Sequence, residues 1–500
     1  MARWAAMVLG VLVLAHVSAA QFTQQGTKLV GTAAVGPSPR QGNAVAISAD
    51  GGTAIVGAPG DSSATGAAWV FVRNDGTWSQ LGTKLVGSGA TGTPEFGWSV
   101  AISADGSTAI VGGPSDNSYA GAAWVFTRHS GVWSPQGAKL VGADAVGAAQ
   151  QGVSVAISAD GNTAIVGGEQ DNSFIGAAWV YTRSEGVWSQ QGAKLTGFDA
   201  VGAAYQGSSV AISADGNTAV VGGSQDNFNL GAAWVFTRTG GAWSQQGTKL
   251  FGTAPIGADV FEGTSVALSA DGNTAFVGGV GDYFNAGAAW VFTRSGGVWS
   301  QQGSKLAGTG AAGNAQQGWS VAVSADGGTA IVGAPLDSNS SGAAWVFTRR
   351  GSVWSQQGSK LVGTGAAGLA QQGTAVAITA DGATALVGGP ADYWAGATWA
   401  FVTPACAPSI SVQPRGRIIA SGETATLSAA ASGTAPLTYQ WYEGASGDTS
   451  QPVGTNVPTF KTTALTTAAS YWLRVSNSCG HADSPTATVT VGERARRHLP

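Results

Sequence analysis

The chain has 500 residues, of which 10% are charged, 44% are apolar and 78 are glycine, and its formal net charge is −4. Average proteins have about 25% charged residues and about 7% glycine. This composition excludes a disordered chain, which needs low hydrophobicity and high charge, and the glycines lack the three-residue period of collagen. The low, slightly negative charge argues against nucleic acids, membrane surfaces and other polyanions as partners. Abundant glycine among β-forming residues indicates short strands joined by tight turns.

The first twenty residues have the pattern of a secretory signal peptide. Arg3 precedes an apolar run at 4–17, and the small residues at 18–20 predict cleavage before Gln21. An N-terminal membrane anchor is the alternative, but the run is shorter than the ~20 residues of a spanning helix. We therefore expect a secreted or cell-surface protein without membrane insertion, and a monomer.

One motif, S-A-D-G or a close variant, recurs seven times, and its aspartates are spaced by 55, 55, 55, 56, 55 and 55 residues. Every copy has the order V-A-I-S, A-D-G, T-A-I-V-G-G, a variable loop with one aspartate, G-A-A-W-V-F-T-R, a glycine-containing turn and W-S-Q-Q-G-x-K-L. The runs are short, rich in Val, Ile, Thr and aromatic residues, and bounded by turn residues. This predicts four antiparallel strands per copy, which we name a to d.

The two ends of the repeat region complement each other. The seventh copy stops after strand c, at Pro404, whereas residues 22–29 at the N-terminus match the template of strand d. Seven complete sheets form if the N-terminal strand completes the last one. We therefore predict an all-β fold with a seven-bladed β-propeller over residues 21–404. An open solenoid is the alternative, and it would not explain the displaced strand.

The strand templates carry one tryptophan on strand c, another on strand d and one lysine on strand d. The tryptophans of strands c and d are expected to pack between neighbouring blades. One lysine on each outermost strand is expected to discourage pairing between exposed edges. These lysines are Lys28, Lys84, Lys139, Lys194, Lys249, Lys305 and Lys360.

The repeats resemble the FG-GAP family, which includes the integrin α-chain propellers, and strand d is similar to that of bacterial surface proteins. The FG element is carried by residues 96–100, F-G-W-S-V, and the GAP element by residues 57–59 and 333–335. Most copies depart from these motifs, for example with Gln-Gly at 151–152 and Gly-Gly-Pro at 112–114. The resemblance implies the fold and names no ligand.

Integrin-type repeats that bind calcium place a D-x-D-x-D-G-like loop between the two elements, but here residues 159–162 read Ala-Asp-Gly-Asn, a tight hairpin turn. One carboxylate cannot supply the six to eight oxygens of a calcium site. We therefore expect no calcium, metal or other cofactor at these turns. A second set of aspartates could line a cation site or form Asx-turns: Asp61, Asp116, Asp171, Asp226, Asp282, Asp337 and Asp392.

Residues 405–491 have a different pattern and resemble an immunoglobulin-like sandwich, followed by a tail at 492–500. The resemblance rests on Trp441 on the predicted third strand and Tyr471 on the sixth. Leu427 and Leu473 occupy the usual half-cystine positions, so apolar packing is expected to replace the inter-sheet disulfide. Cys406 and Cys479 instead lie near the start of the domain and past the sixth strand, where we predict a disulfide, with free thiols as the alternative.

The sequence offers no catalytic set. His129 falls in a turn between strands c and d, and no G-x-S-x-G, His-rich or phosphate-binding motif occurs. We therefore expect no catalytic residues and no enzyme activity. A carboxylate pair assembled by folding, as in glycosidases, stays open, so the alternative function is a carbohydrate-active enzyme on a propeller scaffold.

Propeller topology places the longer b–c and d–a loops together on one face. The b–c loops vary among the copies, and several carry aromatic residues that suit glycan or protein recognition beside Asp and Asn. The alternative is that these rings cap the junctions between blades. We therefore predict a non-catalytic binding or adhesion protein with an extracellular protein or glycan as partner. The candidate ligand-binding residues are Tyr119, Phe174, Phe228, Tyr283, Phe284, Tyr393 and Trp394.

Overall fold

The computed structural model describes residues 21–403, 408–433, 436–477 and 480–492. The predicted signal peptide, both members of the predicted Cys406–Cys479 disulfide and the tail from 493 lie outside the described residues. The cleavage site and the disulfide therefore stay predictions.

Each repeat forms a four-stranded antiparallel sheet with the strand order a-b-c-d. The strands are short because Gly, Asp or Asn interrupts every apolar run. Strand a spans Ala44–Ile47, Ser99–Ile102, Ser154–Ile157, Gln206–Ile212, Glu262–Leu268, Ser320–Val323 and Ala375–Ile378. Strand b spans Thr53–Ala58, Thr108–Gly113, Thr163–Gly168, Thr218–Gly223, Thr274–Gly279, Thr329–Ala334 and Thr384–Gly389.

The outer strands c and d complete each sheet. Strand c spans Ala67–Asn74, Ala122–His129, Ala177–Ser184, Ala232–Thr239, Ala288–Ser295, Ala343–Arg350 and Ala397–Val402. Strand d spans Thr77–Gln80, Val132–Pro135, Val187–Gln190, Ala242–Gln245, Val298–Gln301 and Val353–Gln356 in blades 1 to 6.

The seventh sheet is closed by the N-terminus. Thr23–Gln24 pairs antiparallel with Val402 and Phe401 on strand c of the last repeat. Strand a of each blade contacts strand a of the next, and the last contacts the first. The seven sheets therefore surround one axis, which confirms the β-propeller, and the open solenoid is wrong.

The core lies between the blades. Strand b of blade 1 is buried along its whole length, because both faces of a blade pack against neighbours. Trp69 on strand c is fully buried and shares a cluster with Leu386 and Ala400 of blade 7. The tryptophans of strand d are half-buried and pack against the outer ends of such clusters between blades. Trp354, for example, packs against the cluster between blades 5 and 6. Both sets therefore pack between blades, as predicted.

Two glycines bring the backbones of neighbouring blades together. A Cβ atom on Gly57, in strand b of blade 1, would lie 2.0 Å from the carbonyl oxygen of Gly97 in blade 2. Gly97 has φ +93°, and its Cβ would lie 2.3 Å from the carbonyl oxygen of Ala67. This contact allows only glycine at both positions, and it explains why the FG and GAP elements each contain one.

The described part of the C-terminal domain is a sandwich of ten short strands. They span Ser409–Val412, Arg417–Ala420, Thr426–Ser428, Ala430–Ser432, Thr438–Glu443, Pro452–Val453, Thr459–Lys461, Ala469–Asn477, Gly480–Asp483 and Ala487–Gly492. Trp441, Leu427 and Leu473 are fully buried in its core, and Tyr471 is 3% exposed. Apolar packing therefore fills the positions of the usual half-cystines, as expected. Across the described part of the chain, no helix has the length and hydrophobicity needed to cross a membrane.

Candidate functional site

The b–c and d–a loops share one end of the propeller, because successive strands are antiparallel. The a–b and c–d connections at the opposite end are short turns, such as 48–52 and 75–76 in blade 1, whereas its b–c loop spans 59–66. Each b–c loop contains a short helical turn. These turns span Asp61–Ala64, Asp116–Tyr119, Asp171–Phe174, Asp226–Asn229, Asp282–Asn285, Asp337–Ser340 and Asp392–Trp394.

The backbone of these turns is left-handed at residues other than glycine, with φ of 52° at Ser62 and 57° at Ser63 in blade 1. This conformation is uncommon for residues with a Cβ. It directs the carbonyl oxygen of Ala64 to the backbone N–H of Glu95 in the next d–a loop, at 2.9 Å. The turns therefore connect each b–c loop to the d–a loop beside it.

The aspartate that begins each turn anchors it. Asp61 is buried; its Oδ1 accepts a hydrogen bond from the N–H of Val35 at 2.7 Å, and its Oδ2 lies 2.5 Å from the ammonium group of Lys84. The same ion pair occurs in all seven blades, and Lys28 of the N-terminal segment pairs with Asp392 in blade 7. Each carboxylate accepts from an N–H of the d–a loop rather than from the N–H two residues on, so the Asx-turn interpretation is wrong, whereas the cation site stays a hypothesis. The lysines lie past the end of strand d and hold the loops.

The other set of aspartates lies on the opposite face. Asp160 accepts hydrogen bonds from the hydroxyl of Ser158 at 2.5 Å and from the N–H of Asn162 at 2.9 Å, which is the predicted tight a–b turn. Burial alone would raise the pKa of Asp160, but these hydrogen bonds and Arg183 outweigh it and hold the pKa below its ordinary value. Among the described residues, no group of three or more His, Cys, Asp or Glu side chains could hold a metal ion.

A cavity of about 500 Å³ lies at the mouth of the central channel on the loop face. The d–a loops of all seven blades contribute residues to its lining. The b–c loops of blades 6 and 7 contribute the others. Seven of them follow the glycine of the FG element or its equivalent, at the start of strand a. This mouth ring is Asn43, Trp98, Val153, Ser208, Thr264, Trp319 and Thr374.

Blades 1 and 2 form a fixed corner of the mouth. The amide of Asn43 donates a hydrogen bond to the carbonyl oxygen of Trp98 at 3.0 Å. The guanidinium of Arg40 lies 6.0 Å from the ring centroid of Trp98 and donates to Asn43 Oδ1 at 3.3 Å. Trp319 in blade 6 is 41% exposed and also lines the cavity. The mouth therefore combines two indole rings, amides, hydroxyls and one cation.

The predicted binding residues lie farther out, in the left-handed turns of blades 2, 3, 4, 5 and 7, with two residues each in blades 5 and 7. Tyr119, Phe228, Tyr283, Phe284, Tyr393 and Trp394 are 54%, 86%, 59%, 75%, 77% and 72% exposed, respectively. Phe174 is 41% exposed and stacks on Tyr205 of the next d–a loop, with ring centroids 5.2 Å apart.

The structure brings only some of these rings together. Tyr283 and Phe284 contact each other edge to face, and Tyr393 and Trp394 line an open apolar pocket with Leu369. Phe174 caps a blade junction, as the alternative interpretation proposed, whereas the other rings face solvent.

Sequence reasoning missed the mouth ring. A signal was present, because this position holds five residue types in the seven copies although the glycine before it is constant. The sequence pattern alone did not show that the start of strand a faces the axis.

A buried carboxyl group lies beneath this face. Glu262 is fully buried at the start of strand a in blade 5, and its Oε2 accepts a hydrogen bond from the N–H of Gly252 at 2.7 Å. Burial raises the pKa of Glu262 to about 8, although the Gly252 hydrogen bond acts in the other direction.

Comparisons with known proteins agree with this architecture. The model of the FG-GAP repeat matches residues 78–126 and 299–347, and the model of the CHU_C-associated Ig-like domain matches residues 406–492. The chain therefore carries FG-GAP repeats and a C-terminal Ig-like domain. No curated protein matches it.

Two solved structures illustrate the similarity to other proteins. A GH74 xyloglucanase from Xanthomonas campestris is 13% identical, with a TM-score of 0.39, over 91% of this chain and 74% of the xyloglucanase chain. A complex of the titin M10 and obscurin-like 1 Ig domains is 26% identical, with a TM-score of 0.15, over 17% of this chain and 94% of the other.

Proposed function

We propose that this chain is a secreted or cell-surface binding protein without catalytic activity, and that its propeller takes an extracellular protein or glycan on the loop face. One observation carries the proposal. The strands and their turns are nearly identical from blade to blade, whereas the seven positions of the mouth ring hold five residue types. A constant scaffold that presents varied side chains around one cavity is typical of a binding site.

The chemistry of the cavity favours binding over catalysis. Its size falls in the range of about 300–1,000 Å³ that is common for small-ligand sites. Its described lining contains indole, amide, hydroxyl and aliphatic groups and one guanidinium, and none of the lining residues is Asp, Glu, His or Cys. General acid–base catalysis needs a titratable group within reach of the substrate, so this lining is suited to holding a ligand.

The exposed aromatic residues of the b–c loops support an extended contact surface. The left-handed turn does not require them, because Ser62 and Ser63 form the same turn in blade 1. Tyr393 and Trp394 are 77% and 72% exposed, so they gain little from packing within the chain. We infer that they belong to the outer part of the binding surface, where large rigid rings contribute contact area.

A screen for both binding and turnover tests this function. The full-length secreted chain is applied to arrays of glycans and extracellular proteins, and every retained glycan is then incubated with it and examined for cleavage. We expect retention without turnover. Cleavage of a retained glycan would contradict the proposal and establish a carbohydrate-active enzyme.

Variants locate the site. Trp98→Ala with Trp319→Ala removes the two indoles of the mouth, and Tyr393→Ala with Trp394→Ala removes the outer pair in blade 7. His129→Ala, an exposed residue beside the turn on the opposite face, is the control. We expect the mouth variant to abolish retention, the outer variant to weaken it and the control to leave it unchanged. Full retention by both folded aromatic variants would place the ligand elsewhere and refute the assignment of the face.

A further inference from the structure

We propose that the mouth cavity selects a sugar that carries an anionic group, a carboxylate or a sulfate. In this arrangement, Arg40 binds the anion while Trp98 or Trp319 packs against the sugar ring. This inference rests on the proposed function and specifies the ligand class of the same site.

The charge of the cavity is the first observation. Arg40 is the only ionisable residue in the lining, so the cavity carries one positive charge although the whole chain carries −4. Glu95 and Glu169 lie in neighbouring loops, but neither lines the cavity. Glu95 instead accepts a hydrogen bond from the hydroxyl of Ser115 at 2.5 Å. An anion in the mouth therefore meets one cation and no lining carboxylate.

Arg40 lacks the ion pair that every loop lysine has. All seven of those lysines contact a buried aspartate, whereas no carboxylate of the described residues lies within ion-pair distance of Arg40. Its guanidinium donates instead to the neutral amide oxygen of Asn43, at 3.3 Å. A guanidinium has five N–H donors, so it keeps donors for a ligand. Arginine binds carboxylate and sulfate-like groups through paired, charge-assisted hydrogen bonds.

The surroundings of Arg40 match a sugar better than a bare anion. The backbone of Trp98 is held by the hydrogen bond from Asn43, its indole lies beside the Arg40 guanidinium, and Trp319 presents a partly exposed indole from blade 6. Aromatic faces supply contact area for the C–H face of a pyranose ring. Gln316, Gln371 and Thr374 add amide and hydroxyl groups that can pair with sugar hydroxyls. A single cation in a mixed apolar and polar cavity fits one charged sugar, and the net charge of −4 disfavours a long polyanion.

Matched ligand pairs test the selectivity. Titration calorimetry of the full-length chain compares sialyllactose with lactose, trigalacturonate with its methyl ester, and 6-sulfated lactose with lactose. The first two pairs report on a carboxylate and the third on a sulfate. We expect at least one anionic member to bind more tightly than its neutral partner by about tenfold or more, the effect of one charge-assisted hydrogen-bonded pair.

Three variants assign the effect to residues. Arg40→Gln is expected to remove the preference, so that the anionic and the neutral member of each pair bind alike, and Arg40→Lys is expected to keep part of the preference. Arg417→Gln removes an exposed arginine of the C-terminal domain and serves as the matched control for lost charge. Trp319→Ala is expected to weaken both members of a pair.

The outcomes separate this inference from the proposed function. If both members of every pair bind equally, and Trp319→Ala weakens the binding of both, the charge selectivity is overturned and the binding function stays in place. Retention of a protein and of no sugar would overturn the sugar class alone. An anion preference that survives Arg40→Gln would overturn the assignment to Arg40. Turnover of a sugar would overturn the proposed function.

Discussion

Replacing Glu262 with glutamine is predicted to stabilise the propeller in a pH-dependent way. Five other blades have glutamine at this position, namely Gln41, Gln151, Gln206, Gln317 and Gln372. The amide of Gln317 accepts a hydrogen bond from the N–H of Gly308 at 2.5 Å and donates one to its carbonyl oxygen at 3.1 Å. Glu262 makes the equivalent first bond, but its Oε1 is buried without a hydrogen-bond partner. Glu262 can donate the second hydrogen bond, as the glutamine amide does, only when its carboxyl group is protonated.

The pKa of Glu262 gives the magnitude and the sign. Burial raises this pKa from 4.5 to about 8 in the folded state. Below pH 4.5, both the folded and the unfolded states carry the proton, and Glu262 imposes no penalty. As the pH rises from 4.5 to 8, the unfolded chain releases the proton first, so the free energy of unfolding falls. At about 1.4 kcal/mol per pH unit, the loss is about 3 kcal/mol at pH 7 and at most about 5 kcal/mol above pH 8.

Urea unfolding followed by tryptophan fluorescence measures this effect in the native chain and in Glu262→Gln. We expect the two free energies of unfolding to agree within about 1 kcal/mol at pH 5 and to differ by several kcal/mol at pH 8.5, with the variant more stable. Gln317→Glu is the reverse control and is expected to introduce a penalty that grows with pH. A difference between native chain and Glu262→Gln that stays constant with pH would refute the reasoning.

Three further changes test the structural account. Gly167→Ala places a Cβ 2.1 Å from the carbonyl oxygen of Gly207 in the next blade, so we expect a loss of about 3 kcal/mol or more in the same unfolding assay; Gly52→Ala, at a turn position without positive φ where blade 7 has Ala383, is the control for lost glycine. Lys84→Ala leaves Asp61 buried and unpaired, which costs about 3–5 kcal/mol, and adding Asp61→Asn is expected to restore part of it; an unchanged melting temperature in Lys84→Ala would contradict this role. Deleting residues 21–30 removes the strand that closes blade 7, so we expect limited proteolysis to begin within 375–402, and cleavage distributed evenly over the blades would contradict closure by that strand.

Most of the fold was predictable because each element is encoded locally and repeated. The A-D-G turn, the apolar run at T-A-I-V-G-G and the Trp of strand c each appear in the sequence with their own signal, and the copy that lacks strand d identified the closing segment. The immunoglobulin-like core was similarly visible in Trp441 and in the leucines at 427 and 473. These features can be predicted from residues close together in the sequence and from the period of the repeat.

The parts that were missed depend on contacts between distant residues. Lys84 and Asp61 are 23 residues apart, and they pair only because the loop folds back. The sequence pattern therefore suggested a separate role for each, edge protection for the lysine and an Asx-turn or cation site for the aspartate. The left-handed turn at Ser62 and Ser63 uses residues without a positive-φ preference, because the next blade holds it. The mouth ring was visible as variation after a constant glycine, but its position on the axis became clear only when the seven first strands were placed in a ring.

The measurement that most directly tests the central claim is a calorimetric titration of the best array ligand into the native chain and into the Trp98→Ala, Trp319→Ala variant. If the mouth of the propeller is the binding site, the native chain binds and the variant, folded by circular dichroism and with an unchanged melting temperature, shows no binding. Binding of the variant with the affinity of the native chain would show that the ligand does not occupy the mouth.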